Sequence, residues 1–210
     1  MPYFSKDKIE SLEHIYRINL INSCSGFKSA NLIGTKSVSG FENVAVFSSV
    51  THMGSQPPIL GFLLRPITVI RNTYENIKET GFYTINHIAE SFLEDAHHTS
   101  AKYPKEISEF EVTNLTSEYK NDFYAPFVKE SPIKIAMKYV EEYAIKANGT
   151  ILLLGEIQSI FVADDLVSSD GFIDLSAARV AAINGLDGYA VPTSQQRLTY
   201  QRPKENLNLI

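Results

Sequence analysis

Residues Asn31 to Arg71 read NLIGTKSVSGFENVAVFSSVTHMGSQPPILGFLLRPITVIR, and the reading of this stretch decides the fold. It predicts three short strands in succession. The first, Asn31 to Thr35, stops at a polar, Gly-bearing turn, Lys36 to Glu42. The second, Asn43 to Val50, is rich in β-branched and aromatic residues and closes on Ser48, Ser49 and Thr51. The third, Ile59 to Leu64, follows Pro57-Pro58 and ends at Arg65-Pro66. Strand bodies bounded by Gly, Pro, Ser and Asn clusters are the signature of sequential antiparallel strands. Ser48, Ser49, Thr51, Arg65, Thr68, Arg71 and Thr73 put hydroxyls and guanidinium groups at two adjacent strand exits. Such groups bind a phosphate monoester through charge-assisted hydrogen bonds, and they equally make up an ordinary surface turn.

The rest of the chain sets bounds on what this stretch can serve. Its 210 residues fit one domain with small appendages and suffice for a sizeable core. Charged residues are 20% of the chain and the formal net charge is −5, with Lys and Arg spread along it. That pattern argues against a nucleic-acid binder, whose basic footprint is concentrated. The single cysteine, Cys24, rules out an intrachain disulfide and is read as a structural thiol rather than a nucleophile. No run of about 18 apolar residues occurs and the N-terminus lacks an apolar signal core, so no membrane partner and a cytoplasmic location are expected. Gly-x-Gly-x-x-Gly after a strand, Walker Gly-Lys-Ser/Thr and Gly-x-Ser-x-Gly motifs are all missing from the sequence.

In chain order, residues 1–26 predict an amphipathic N-terminal helix capped by Ser5 or Asp7, with Ile9, Leu12, Ile15 and Tyr16 on one face. Asn72 to Gly81 predicts a short helix with Asn72 or Thr73 as N-cap, Ile77 inward and Gly81 in the left-handed position past its end. Phe82 to Asn86 is a strand. Ala89 to Ser100 is a helix with Ser91 and Glu94 at capping-box spacing, and it carries His97 and His98. Adjacent histidines point about 100° apart on a helix, so a solvated or substrate-facing pair is expected rather than a metal site. Residues 100–128 form an insertion whose Tyr103, Phe110, Phe123, Tyr124 and Phe127 either line a pocket or pack the insertion. Ser131 to Tyr143 and Gly149 to Val162 predict two long strands around an Asn148-Gly149 turn. Glu141 and Glu142 fall on opposite faces of the first of these strands and are read as solvated or edge charges. The extension 164–210 holds an Ala-rich piece, Leu175 to Ile183, read as helical, with packing favoured for Tyr189 and Tyr200 over contact with a ligand.

The order of short motifs between Leu32 and His87 resembles the flavin-reductase-like FMN-binding split-barrel family. The motifs are Asn43-Val-Ala-Val-Phe-Ser-Ser, Pro57-Pro58 before an apolar strand, Arg65-Pro66, Thr73-Tyr-Glu-Asn-Ile77 and Gly81-Phe-Tyr-Thr-Ile-Asn86. The resemblance is looser over Ser131 to Val162. It implies a mainly β fold, an antiparallel split β-barrel with flanking α-helices, usually assembled as a homodimer. It also implies an FMN-binding oxidoreductase, with NADH or NADPH as electron donor and hydride or electron transfer through the flavin. A non-catalytic FMN-binding electron carrier and a small-ligand-binding barrel stand as alternatives. The cofactor-binding positions it implies are Lys28, Ser29, Asn43, Phe47, Ser48, Ser49, Val50, Thr51, His52, Arg65, Thr68 and Arg71. The phosphate is expected at Arg65 and Thr68 beside the start of the following helix, with Lys28 and Arg71 as further candidates, the ring along Ser48 to Thr51, and His52 at the ring or substrate. Lys28 and Ser29 occupy the place of a family Arg-Pro pair that is missing here. Tyr189, Tyr200 and Arg202-Pro203 resemble the family's C-terminal segment. No catalytic acid or base is named.

Overall fold

A computed structural model describes residues 1–199. Two short helices open the chain, α1 Lys6–Ser11 and α2 His14–Cys24, followed by strands β1 Lys28–Ser29, β2 Asn31–Lys36, β3 Glu42–Phe47, β4 Thr51–Ser55 and β5 Pro58–Leu64. Helix α3 Asn72–Thr80 and strand β6 Phe82–His87 come next. A 3₁₀ turn, Glu90–Phe92, leads into α4 Leu93–His98, and then α5 Glu109–Val112, β7 Ser117–Glu118 and β8 Phe127–Val128. The long strands β9 Ile133–Ile145 and β10 Thr150–Val162 precede β11 Ala182–Asn184 and β12 Gly188–Ala190.

Seven strands form one antiparallel sheet in the order β3-β2-β6-β9-β10-β5-β4. Its two edge strands, β3 and β4, are consecutive in the chain and joined only by Ser48, Ser49 and Val50. Laid flat, the sheet would separate its edges by roughly 29 Å, six gaps of about 4.8 Å. The link from Phe47 to Thr51 reaches at most about 14 Å. The sheet therefore curls until its edges meet. At the join the rings of Phe47 and Phe62 lie 5.1 Å apart, edge to face. The Ser49 hydroxyl accepts from Leu63 N–H at 3.0 Å and donates to Leu63 C=O at 3.1 Å, extending the β4–β5 ladder with a side chain.

Alternation sorts the strands into two cores. Ile33, Phe62, Leu64, Tyr83, Ile85, Ile133, Ile135, Met137, Ile151 and Leu153 fill the barrel interior, joined by Ile77 from α3 and Val180. Leu32, Val44 and Ala30 point outward and build a second core with Phe92, Ala96, Leu115, Val128 and Ile183. One constriction in the interior is tight: a Cβ on Gly155 would collide with the Tyr83 hydroxyl. Helix α3 is pinned across the barrel by Asn43 Nδ2 donating to Thr73 Oγ1 at 3.0 Å and Asn76 Nδ2 to Thr35 Oγ1 at 3.1 Å. It ends on Gly81 with φ 77°, as expected, and Gly81 N–H donates to Ile77 C=O. The edge strand β3 is capped on its far side by the Glu109 carboxylate, which accepts from Val44 N–H at 3.0 Å. Burial pushes that carboxyl up from its ordinary range.

Several expectations need correction. The predicted second strand stops at Phe47, and Thr51–Ser55 is a fourth strand, hairpinned onto β5. The N-terminal helix is two helices, because the Glu13 carboxylate accepts from Ile15 and Tyr16 N–H and starts a new one. Ser5 rather than Asp7 caps the first, and neither helix has a fully buried residue. The Ser91–Glu94 capping box does not form: Ala89 precedes the 3₁₀ turn without a side-chain cap. Leu175 to Ile183 is no helix. Asp174 Oδ1 gathers Ser176 N–H, Ala177 N–H and the Ser176 hydroxyl into a turn, Arg179 takes φ 53°, and the chain then extends into β11. Cys24 is exposed rather than structural. Glu142 is not a solvated charge: it accepts from the Tyr74 hydroxyl at 2.9 Å and pairs with Lys78 at 3.4 Å.

Among the groups on the barrel's inner face, the half-buried His87 at the end of β6 stands out. Burial alone holds its imidazole down to about 4 from the ordinary 6.5, so it is neutral at physiological pH. The neutral form is favoured by the folded state. Its contribution to stability is thus complete above pH ~6.5 and lost as pH falls through about 4, a total of roughly 3 kcal/mol at about 1.4 kcal/mol per pH unit. Urea unfolding at pH 7, 5.5 and 4 is expected to show this loss, and His87→Phe should remove that part of the slope. An identical slope in the variant would exclude His87 as its source. Ser49→Ala should cost about 0.5–1.5 kcal/mol in the same assay, the worth of hydrogen bonds at an accessible edge.

Candidate functional site

The join of the sheet edges gathers one group of predicted residues. Ser29 Oγ donates to Val50 C=O at 3.0 Å, which ties β1 to the link. Phe47 and Val50 turn their side chains to the interior core, while Ser48 and Ser49 are half-buried. Thr51 and His52 begin β4 on an exposed edge, and His52 Nε2 lies 3.2 Å from Ser55 Oγ within the hairpin. The join thus offers a short backbone run with hydroxyls on one side and an aromatic and aliphatic floor on the other.

A second group lies beyond the exit of β5. Arg65 is exposed two residues past Leu63, so the Ser49 anchor and this exit share one strand end. The following loop and the first turn of α3 enclose an open cleft of about 370 Å³ lined by Ile67, Thr68, Val69, Ile70, Arg71, Tyr74 and Glu75. Arg65 does not line it. Arg71 is the N-cap of α3, in place of the predicted Asn72 or Thr73, and no side chain caps the helix start. Thr73 is unavailable as a cap because its hydroxyl is held by Asn43. The Arg71 Nε is buried without a hydrogen-bond partner. Unpaired N–H groups of a helix start and a guanidinium on the same rim favour an anion. Glu75 brings one opposing charge to that rim.

Three predicted roles move. Lys28 turns away from the join: its Nζ donates to Asn22 C=O at 2.9 Å and Ser25 Oγ at 3.0 Å, closing the end of α2. Asn43 is a brace for α3 rather than part of an open surface. His97 is half-buried, with Nδ1 3.0 Å from the Tyr189 hydroxyl, whereas His98 is solvent-exposed, as expected, with Nε2 2.7 Å from the Tyr103 hydroxyl. The insertion aromatics pack: Phe123 meets Phe82 edge to face and Tyr124 lies tilted against it, Phe127 sits against Phe123 and Phe161, and Phe110 joins the outer core. Tyr189 packs against the outer core too, whereas Tyr200 and Arg202-Pro203 lie outside the described residues. Asn31 was not among the predicted residues. It begins β2 directly opposite Phe47, fully buried, and an asparagine at a strand start reads in sequence as a boundary rather than as an interior group.

Known proteins agree with this architecture. Residues 26–175 match the family model described as flavin reductase like domain. A crystal structure from Shewanella frigidimarina, of a protein assigned as a flavin reductase with a split barrel domain, is 50% identical. It superposes with a TM-score of 0.92 over 96% of this chain and 100% of that one. An uncharacterised protein of Halalkalibacterium halodurans is 30% identical over 70% of this chain and 73% of its own length. Nitrilotriacetate monooxygenase component B from Bacillus cereus shares the fold, with a TM-score of 0.82 at 20% identity over 94% of this chain and 98% of that one. The chain has the split-barrel fold and belongs to the flavin reductase like domain family, a family of flavin-related oxidoreductases.

Proposed function

We propose that the protein binds FMN non-covalently and passes hydride or electrons from NADH or NADPH to an acceptor through it. The observation that carries this reading is the buried, unpartnered Arg71 Nε at the uncapped start of α3, on the rim of a cleft, one strand exit from the Ser48–Thr51 link. A phosphate monoester matches that donor set: Arg71 and Thr68 with the first N–H groups of α3, and Arg65 at the approach. Bound FMN supplies the hydride- and electron-accepting chemistry. The chain's own part is to hold and orient. Backbone N–H groups of Ser48 to Thr51 would hold the polar edge of the ring, and Phe47 and Val50 pack the floor beneath the link. His52 stands on the exposed hairpin where a second ligand would approach. In this reading a nicotinamide donor would have to meet the flavin without a dedicated dinucleotide-binding domain, since the sequence has no such fingerprint.

The same reading makes the protein a cytoplasmic homodimer. The outer face of β2 and β3 is covered by the second core, whereas among the described residues no such cluster covers that of β4, β5, β10 and β9. There Leu154, Leu152 and Met53 converge over Gly61, beside Leu63 and Tyr143, which are 43% and 52% exposed. A contiguous apolar sheet face of this kind suits an isologous contact with a second copy.

Purified protein incubated with FMN and freed of excess is expected to retain oxidised-flavin absorption, which NADH or NADPH bleaches anaerobically. Retained but unbleached flavin would replace the reductase with a carrier, and no retention together with no saturable titration would end the reading. Arg71→Ala should weaken FMN binding by about 1.5–3 kcal/mol, the range for hydrogen bonds to charged groups, and Arg65→Ala by less. In sedimentation, a Leu63→Glu, Leu154→Glu double variant should run as a folded monomer where the native chain runs as a dimer.

A further inference from the structure

Among the described residues, the inner wall of the barrel carries two side chains whose buried polar atoms lack a partner, Tyr83 and Asn31, and the amide of Asn31 is used by neither the cores nor the candidate flavin site. Asn31 is fully buried, and neither its amide oxygen nor its amide nitrogen has a hydrogen-bond partner in the protein. It lies directly opposite His87 on β6 and Phe47 on β3. Strand alternation puts Asn31 on the face of Ile33, and His87 on the face of Tyr83 and Ile85, so both side chains belong to the interior wall. Directly paired residues hold their Cβ atoms about 4.5–5.5 Å apart. The amide and the imidazole are therefore neighbours at the end of the barrel nearest the link. Two residues before Asn31 in the chain, Ser29 is bonded to Val50.

The chemistry of the pair is specific. A neutral imidazole has one donor and one acceptor, and an asparagine amide has two donors and an acceptor with two lone pairs. A buried amide left without partners is costly, and a single water makes about three hydrogen bonds to such groups. We infer that Asn31 and the half-buried His87 form a binding site for one ordered water molecule at the end of the barrel, set behind the Ser48–Val50 link. The water accepts from one group and donates to another, and it holds both side chains in place. The site ranks with neither the anion cleft nor the apolar outer face: its ligand is small, neutral and able to donate and accept at once.

The test is a water NOE and ROE measurement on the full-length protein, with probe resonances from the Asn31 side-chain NH₂ and the His87 ring. A long-lived water gives dipolar cross-peaks from both groups to the water line, whose sign in the ROE separates them from proton exchange. In Asn31→Leu the His87 cross-peak should vanish, and in His87→Phe the Asn31 cross-peak should vanish, with the amide spectrum of each variant reporting its fold. No cross-peak in the native protein, or a His87 cross-peak that survives Asn31→Leu, overturns the inference. If a variant does not fold, a high-resolution crystal structure of the native protein decides: solvent density about 3 Å from both groups supports the site, and an Asn31 amide bonded to protein atoms rejects it.

Discussion

Three residues, Ser48 to Val50, constrain this molecule more than any other feature. They join the first and last strands of a seven-stranded sheet, and no flat sheet lets so short a link span its width. Closure follows, and with it the enclosed aromatic pair Phe47 and Phe62 and the interior core. The closure is only partial. Beyond Gly61 the partner strand of β5 is replaced by one serine hydroxyl, so the barrel is split where its backbone is most accessible. A backbone run that is fixed at both ends yet left without a neighbouring strand is well placed to meet a planar ligand's polar edge.

The site is thus a by-product of topology. Helix α3 must cross the end of the barrel to bury Ile77, and the braces from Asn43 and Asn76 set where it starts. Because Asn43 takes the Thr73 hydroxyl, the usual capping group is diverted and the helix start keeps its donors. Arg71 is held at that start with part of its guanidinium out of solvent. Packing energy, rather than any dedicated loop motif, positions the groups proposed to bind an anion.

Much of this was legible in the sequence because the signals are local. The apolar alternation of Ile133, Ile135 and Met137, the Asn148-Gly149 turn and Gly81 after Ile77 each act within a few residues. What escaped depends on distant partners. Thr51-His-Met-Gly-Ser55 has no apolar alternation and is a strand only because β5 pairs with it. The alanines of 175–183 favour a helix, but Asp174 captures the local N–H groups and Ile183 is drawn to Lys28 across the small sheet. Lys28 reads as a free cation until α2 is seen to end beside it. Of the site, the Ser48–Thr51 run and the Arg65–Arg71 loop were readable as chemistry, whereas the guanidinium burial and the Asn31–His87 pairing were not.

The carboxylate of Glu109 on the Val44 N–H has a consequence for the molecule among its own copies. Strand β3 ends the sheet, and a bare edge invites another chain to add a strand and begin a polymer. A short acidic helix from the insertion occupies that docking line instead, and presents negative charge to any incoming backbone carbonyl. The insertion thereby covers part of the edge that an added strand would use, whatever the barrel binds elsewhere.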